Sequence, residues 1–296
     1  MTIRYGVSPI AWSNDDMPEL GGDTPLETIL GDTRDIGFDG IELGGRFPRD
    51  PEALGELLGR FDLDLVGGWY SSSLLERSAA DEIAAMQERI ALLHYMDSTV
   101  FIIAETSNAV HGDRRRRLDE TPRLAASDWQ QFGARLTEVA DYVRGQGLRF
   151  AYHHHLGTVV ETDDDLRNFL AHTGPSVGLV LDSGHAAYGG IDPVEVVRTV
   201  PDRISHVHCK DVRRAVHQRM RDEGRGFLDG VVAGMFTAPG DGDYDHGPLI
   251  HALKGMDYSG WIIVEAEQDP GIADPRAYSQ LGLDTLKKFA AEAGLR

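Results

Sequence analysis

Short runs of apolar and β-branched residues alternate with longer segments of helical periodicity along the chain, and this alternation limits the fold more than any other feature. Repeated units of this kind predict a parallel sheet covered by helices. The predicted strands are Arg4–Ser8, Gly40–Leu43, Asp64–Gly68, Thr99–Ala104, Arg149–His153, Val177–Leu181, Ile204–His208 and Trp261–Glu265. The predicted helices are Pro25–Ile36, Pro51–Phe61, Ala79–Met96, Ala126–Gln146, Thr162–Ala171, Pro193–Val200, Pro248–Met256 and Pro275–Ala293.

Eight strand–helix units with parallel strands close most naturally into a barrel. The α/β alternative is a doubly wound open sheet, but the residues after the first strand read Pro-Ile-Ala-Trp-Ser-Asn-Asp-Asp and lack the glycine-rich turn that binds a dinucleotide. No proline-rich linker or low-complexity tract interrupts the series. We therefore predict an α/β protein with a single (β/α)8 TIM-barrel domain over residues 1–296.

The formal net charge of -19 argues against a nucleic-acid surface, because binding to phosphates depends on clustered Lys and Arg. The run Arg114–Arg117 has acidic neighbours and is expected to be a solvated loop or a subunit contact, with anion binding as the alternative. A homo-oligomer stays open. We find no apolar run of membrane-spanning length and no secretory signal. The single cysteine, Cys209, fits a reducing compartment. We expect a cytoplasmic protein that binds a small molecule and neither nucleic acid nor membrane.

Titratable side chains collect at the C-terminal ends of the predicted strands, where TIM barrels carry their active sites. These residues are Glu42, Glu105, His153, His154, His155, Asp182, His185, His206, His208, Lys210, Asp211, Glu265 and Glu267. A divalent cation organises such a group well, and imidazole with carboxylate suits Mn, Co, Zn or Fe better than Ca. Each histidine taken singly is more often a hydrogen-bonded core residue, and a cap of the next helix is the alternative role for Asp182. Because side chains alternate along a strand, His153 and His155 share one face and His154 points the other way.

The order of these residues resembles the xylose-isomerase-like superfamily, with "Leu-Asp-x-x-His" on strand six, "His-x-x-Asp" on strand seven and Glu on strand eight. Within it, longer stretches resemble the inosose dehydratases. These stretches are Trp12–Asp23, Glu42–Pro51, Gly68–Ser71, Tyr152–Thr162, His206–Arg213, Pro239–Gly242 and Val264–Pro270. The resemblance implies a hydro-lyase of myo-inositol catabolism that dehydrates 2-keto-myo-inositol (scyllo-inosose), a cyclic polyol ketone, to 3D-trihydroxycyclohexane-1,2-dione. It also implies Mn2+ or Co2+ as the metal, with glutathione as a further candidate cofactor.

The resemblance places the metal ligands on His153, Asp182, His208 and Glu265. The superfamily usually has Glu at position 153, so His155 and His185 stay open as replacements. Glu265 is expected to be the base, with Glu267 as the alternative, and His155 or Lys210 the acid, although Lys210 can equally be a structural ion-pair partner. The residues expected to contact substrate are Trp12, Asn14, Asp15, Glu42, Trp69, Tyr70, Glu105 and His185. For Trp12 and Trp69, core packing is the alternative.

Other functions stay open on the same scaffold. The nearest alternative is an inosose isomerase or a ketose 3-epimerase, which exchanges a proton and loses no water. An abasic-site endonuclease needs a basic DNA-binding face, which the acidic composition disfavours. A sugar-binding protein without turnover is the remaining alternative, and the convergence of acid, base and ligand residues argues against it.

Overall fold

Strands and helices alternate along residues 2–295, which the computed structural model describes. The strands are β1 (Ile3–Val7), β2 (Gly40–Ile41), β3 (Asp64–Leu65), β4 (Trp69–Ser72), β5 (Val100–Glu105), β6 (Arg149–His153), β7 (Gly178–Asp182), β8 (Ile204–Cys209), β9 (Asp211–Val212), β10 (Phe236–Thr237) and β11 (Gly260–Val264). The α-helices are α1 (Leu26–Ile36), α2 (Pro51–Gly59), α3 (Ala79–Ala85), α4 (Gln87–Tyr95), α5 (Asp128–Gly145), α6 (Asp163–His172), α7 (Ser183–Gly189), α8 (Pro193–Thr199), α9 (Arg214–Asp222), α10 (Phe227–Val232), α11 (Gly247–Gly255) and α12 (Pro275–Ala293).

One parallel sheet of nine strands forms the centre of the molecule, in the order β3-β2-β1-β11-β8-β7-β6-β5-β4. β3 pairs with β2, and β4 pairs with β5. Because β3 and β4 belong to one extended segment of the chain, that segment closes the ring. Strand order then follows chain order around the ring, whereas a doubly wound sheet would reverse direction at a switch point. The predicted (β/α)8 barrel is therefore confirmed.

The third strand differs from its prediction, because it is interrupted between β3 and β4. A Cβ atom on Gly68 would lie 2.6 Å from Cβ of Leu43, so glycine permits the close approach of this segment to the neighbouring strand end. The predicted helix Ala79–Met96 is divided at Met86 into α3 and α4. The helices α7, α9 and α10 and the antiparallel pair β9–β10 were not predicted.

The lower part of the barrel interior is apolar, which leaves the C-terminal mouth for polar residues. Its side chains form one buried cluster of Val66, Val100, Ile102, Ala151, Val180, Trp261 and Ile263. Outside the sheet, α12 packs against α1 and α11, and α5 packs against α3 and α6. No helix within residues 2–295 has both the length and the apolar character needed to cross a membrane.

A separate apolar cluster lies under the loops at the mouth, built mainly by α9, α10 and the β9–β10 pair. It includes Leu156, Val212, Met220, Phe227, Leu228, Val231, Met235 and Phe236. Asp211 anchors the loop after β10, because its two carboxylate oxygens accept hydrogen bonds from the backbone N–H groups of Val212, Gly240, Gly242 and Tyr244. One wall of the mouth is thereby built from residues far apart in sequence.

Candidate metal centre and active site

Four side chains from four neighbouring strand ends converge at the barrel mouth. His153 ends β6, Asp182 ends β7, His208 lies in β8, and Glu265 directly follows β11. One ligand atom from each lies within 4.8 Å of the others, and all four residues are buried. Parallel pairing causes this convergence, since Asp182 lies opposite His208 in the β7–β8 register. The structure thus brings together the four residues that were predicted as ligands, and the ligand role itself stays a prediction.

The ring of His153 is held in the orientation that a ligand needs. Its Nδ1–H donates a 2.7 Å hydrogen bond to the backbone carbonyl of His154, which leaves the lone pair on Nε2 free. This Nε2 atom lies 3.7 Å from Oδ2 of Asp182. Burial lowers the pKa of His153 well below its usual range, and the nearby His208 lowers it further. The imidazole is therefore neutral, which is the form that binds metal.

Asp182 has two separate tasks for its two oxygens. Oδ1 accepts hydrogen bonds from the backbone N–H groups of Gly184, at 2.8 Å, and His185, at 2.9 Å, and so caps α7. Oδ2 is buried without a hydrogen-bond partner among residues 2–295 and points into the four-residue group. Capping and ligation, which the sequence left as alternatives, are thus compatible in one side chain.

The buried polar atoms of this group fit a divalent cation. Within the described part of the chain, Oδ2 of Asp182, Oε2 of Glu265 and Nδ1 of His208 form no hydrogen bond. His208 Nδ1 and Glu265 Oε2 are 2.7 Å apart, but the direction of the ring nitrogen does not suit a hydrogen bond. Buried carboxylate oxygens without donors are costly, and a cation offsets that cost. Mixed imidazole and carboxylate donors suit a transition metal.

The other two histidines that stayed open as ligands lie beside the group. The rings of His155 and His185 pack against each other with centroids 3.8 Å apart. Nδ1 of His155 donates to the carbonyl of Leu156 at 2.7 Å, and Nδ1 of His185 accepts from the Leu156 N–H at 3.2 Å. Neither belongs to the group whose ligand atoms converge. The geometry therefore favours His153 as the fourth ligand.

Lys210 is buried between carboxylates next to the metal group. Its Nζ lies 3.2 Å from Oε1 of Glu265, 3.1 Å from Oε2 of Glu267 and 3.1 Å from Nε2 of His185. Burial alone would lower the pKa of Lys210, but the two carboxylates outweigh it and raise that pKa. Burial raises the pKa of Glu267 to about 7 against the lowering effect of Lys210. The pKa of Glu267 therefore lies near neutral pH.

A cavity of about 370 Å³ opens above these residues, a size typical of small-molecule sites. Three of the residues expected to contact substrate line it, namely Asp15, Glu42 and Trp69. The Trp69 ring lies with its centroid 5.4 Å from those of His153 and His155, which makes an aromatic wall beside the metal group. The full lining is Ser8, Pro9, Ile10, Asp15, Asp16, Glu42, Leu43, Gly44, Arg49, Trp69, Ser71, Ile102, Thr106, His111, His153, His155, His208, Glu265 and Glu267.

Two predicted substrate contacts after the first strand, Trp12 and Asn14, form hydrogen bonds within the protein. The indole Nε1–H of Trp12 donates to Oδ2 of Asp32 at 3.1 Å, so the ring is held against α1. Oδ1 of Asn14 accepts from the backbone N–H groups of Asp16 and Met17, both at 2.9 Å, and stabilises the turn. Neither side chain lines the cavity. Substrate contact by these two residues therefore stays a prediction, and the hydrogen bond of Trp12 to α1 favours the packing alternative for that residue.

Tyr70, Glu105 and His185 also lie outside the cavity lining. The Tyr70 hydroxyl donates to Glu82 of α3 at 2.8 Å, so the side chain faces the helices. Glu105 accepts a hydrogen bond from the backbone N–H of Leu74 at 2.6 Å and anchors that loop. His185 lies beneath the surface of the mouth in contact with Lys210. Direct substrate contact by these three residues stays a prediction, since each already has a partner within the protein.

Several lining residues were missed by the sequence reasoning. Asp16 and Arg49 occur within stretches that carried the resemblance, but neither was singled out. His111 lies on the loop after β5, and its ring centroid is 4.8 Å from that of His155. The histidine in "Ala-Val-His-Gly-Asp" was the only local signal for this position.

Comparisons with known proteins agree with this fold. The family model described as "Xylose isomerase-like TIM barrel" matches residues 30–289. The rhizopine catabolism protein MocC of Rhizobium meliloti is 42% identical over 296 residues, covering 100% of this chain and 91% of that protein. The inosose dehydratase of Lacticaseibacillus casei is 37% identical over 281 residues, with 94% of each chain covered.

Solved structures agree at the level of the fold. An L-ribulose 3-epimerase superposes with a TM-score of 0.70 at 16% sequence identity, covering 99% of this chain and 96% of that one. Identity this low shows a shared fold alone, whereas the family model and the relatives above cover nearly the whole chain at higher similarity. The chain therefore belongs to the xylose isomerase-like TIM-barrel family and, within it, to the inosose dehydratases.

Proposed function

We propose that this protein is a hydro-lyase that dehydrates 2-keto-myo-inositol to 3D-trihydroxycyclohexane-1,2-dione. The observation that carries the proposal is a buried group of two histidines and two carboxylates at one cavity, which Glu267 also lines. The chain that carries this group is 37% identical to an inosose dehydratase. The hydrogen-bonding and aromatic groups that line the cavity suit a ring bearing hydroxyls. The cytoplasmic location, a homo-oligomer and a role for glutathione stay predictions.

His153, Asp182, His208 and Glu265 would hold the metal, for which we propose Mn2+ or Co2+ because imidazole ligands favour transition metals. A divalent metal held there would supply Lewis-acid chemistry, which stabilises negative charge that develops on a ketone substrate. Glu265 contributes Oε2 to the ligand group and lies with Oε1 3.2 Å from Lys210. With a metal bound at Oε2, both of its oxygens would be engaged, which favours a ligand role over the predicted role of base.

Glu267 is our proposed proton carrier. It lines the cavity, and burial raises its pKa to about 7, so a substantial fraction is ionised at neutral pH. The ionised carboxylate takes the proton alpha to the ketone, and the electrons of that C–H bond form the new carbon–carbon double bond as the beta hydroxyl departs. The protonated carboxyl then gives its proton to the departing hydroxide, which leaves as water, and the enol tautomerises to the diketone.

Neither Lys210 nor His155, the two expected acids, is our proposed proton donor. Lys210 does not line the cavity, and we propose that it acts through Glu267, whose Oε2 it holds at 3.1 Å. His155 lines the cavity, but burial lowers its pKa well below the usual range, so it is a weak candidate for a proton donor at neutral pH.

An epimerase on this scaffold is disfavoured by residue 153. Exchange of a proton on both faces of a substrate needs two bases, and here a neutral imidazole with Nε2 in the metal group replaces one carboxylate. A second candidate function is a step in rhizopine catabolism. The 42% identity to MocC, whose name states that process, is the observation in its favour.

The test is direct turnover. Protein treated with chelator and reloaded with Mn2+ is incubated with scyllo-inosose in deuterium oxide, while diketone absorbance and the proton NMR signals of the substrate are followed. Dehydration yields diketone absorbance that requires metal. Exchange of the alpha proton without diketone would instead identify an isomerase or epimerase. An Asp182→Ala variant should be inactive, and Asp192→Ala, which removes a similar helix cap at α8, should remain active.

A further inference from the structure

Glu42, at the end of β2, reaches across the barrel mouth to two histidines of β8. Its Oε1 is 3.0 Å from Nε2 of His206 and 2.9 Å from Nε2 of His208. All three side chains are buried. The two histidines can share this partner because they are two residues apart in a strand and so lie on the same face.

This contact determines which nitrogen of His208 carries a hydrogen. An ionised carboxylate only accepts hydrogen bonds, so Nε2 of each ring must be the donor. In a neutral His208 ring, the lone pair is then on Nδ1. Nδ1 is also the atom that faces the metal group, 2.7 Å from Oε2 of Glu265 and 3.7 Å from Oδ2 of Asp182.

We propose that Glu42 is a positioning residue for the metal centre, which holds His208 in the tautomer that presents Nδ1 to the cation. His206 assists by donating to the same oxygen, which restrains the Glu42 carboxylate. This inference rests on the metal centre of the proposed function and replaces the expectation that Glu42 serves mainly to bind substrate. The negative charge of Glu42 also raises the basicity of the ring, as carboxylate partners of metal-bound histidines do.

Glu42, His206 and His208 are also close enough to form a second metal group. That use needs a lone pair on Nε2 of His208, whereas the four-residue group needs one on Nδ1. A neutral imidazole has a single lone pair of this kind, so the two uses compete. The hydrogen bonds to Glu42 already satisfy both Nε2 atoms, which favours the positioning role.

The first experiment needs no variant. Nitrogen-15 NMR of the Zn2+-loaded protein should show a hydrogen on Nε2 of His208 and none on Nδ1, since Zn2+ is diamagnetic and takes the same donor types. A hydrogen on Nδ1, or Zn2+ bound at Nε2, would overturn the inference.

The second experiment measures Zn2+ affinity and stoichiometry by competition with a chromophoric chelator. Glu42→Ala removes the acceptor and should weaken binding about 10- to 100-fold, as loss of such partners typically does. Glu42→Gln keeps an acceptor oxygen, so it should lose less affinity and retain the Nε2–H tautomer. Glu105→Gln is the matched control, because Glu105 is also buried at a strand end but contacts no ligand.

The outcomes distinguish this inference from the proposed function. If Asp182→Ala loses Zn2+ but folded Glu42→Ala binds as tightly as the wild type, the positioning role is wrong and the metal centre stands. If Asp182→Ala binds Zn2+ as the wild type does, the metal centre and the positioning role both fail. Two Zn2+ ions per wild-type chain, falling to one in Glu42→Gln, would establish the second metal group and overturn the positioning role.

Discussion

Substitutions of Asp182 should separate metal binding from helix capping, because each carboxylate oxygen has its own task. Asp182→Asn keeps an oxygen that can accept from the backbone of Gly184 and His185 but removes the negative charge that faces the ligand group. Asp182→Ala removes both. We therefore expect the two variants to bind metal equally poorly and to differ in stability.

The expected magnitudes follow from the contacts. Loss of the cap and of acceptors for two buried N–H groups in Asp182→Ala should cost about 2 kcal/mol. At roughly 2–4 °C per kcal/mol for a chain of this size class, Tm in chelator should fall by about 4–8 °C. Asp182→Asn should melt closer to the wild type. Mn2+ at 100 times the wild-type Kd should stabilise the wild type by about 2.7 kcal/mol. A variant that binds about 100-fold more weakly would gain only about 0.4 kcal/mol.

The assay is thermal melting with chelator and with Mn2+, alongside metal content per chain. Asp192→Ala is the control, since Asp192 caps α8 through the N–H groups of Val194 and Glu195 and lies outside the metal group. It should lose about 1 kcal/mol and keep the full response to Mn2+. A wild-type response to Mn2+ in Asp182→Asn would refute the ligand role. Equal melting of Asp182→Asn and Asp182→Ala in chelator would refute the capping role.

Four further predictions concern the same site. Chelation should abolish turnover, and Mn2+ or Co2+ should restore it better than Mg2+, since imidazole ligands favour transition metals; full activity in metal-free protein would contradict this. Glu267→Gln should lower kcat by about 10²–10⁴-fold with unchanged metal content, as loss of a proton carrier does. In Gly184→Ala the new Cβ would lie 2.8 Å from Cγ of Lys210, so displacement of that lysine should lower kcat by about 10- to 100-fold. Gly59→Ala is the control and should leave kcat unchanged, because the space around its Cβ is open. His153→Glu should lose dehydration and gain exchange of the alpha proton in deuterium oxide, measured by proton NMR; dehydration at the wild-type rate would show that residue 153 has no special part.

The barrel itself could be predicted from the sequence, because hydrophobic periodicity is a local property. β6 and α12 have their predicted bounds, and β1 and β7 are shifted by one residue from theirs. The position of the site followed as well, since parallel strands bring their C-terminal ends to one mouth. Alternation along β6 also separated His153 and His155, which line the cavity, from His154, which does not.

Only the tertiary structure decided what each polar side chain contacts at the mouth. Tyr70 lies within β4 and Glu105 ends β5, yet hydrogen bonds to Glu82 and to the backbone of Leu74 hold these two side chains in the surrounding structure. Partners of this kind lie in loops and helices whose positions depend on the packing of the whole chain.

Glu42 shows most clearly which features follow from the sequence and which follow from the tertiary structure. The sequence by itself determined that Glu42, His206 and His208 would stand at strand ends of a barrel and that the two histidines would share a face. It did not determine that one oxygen of Glu42 would accept hydrogen bonds from both rings. In the sequence, Glu42 is separated from His206 by 164 positions and from His208 by 166 positions. Closure of the ring through β3 and β4 brings β2 to β8 across the mouth, so the hydrogen on His208 is set by tertiary structure.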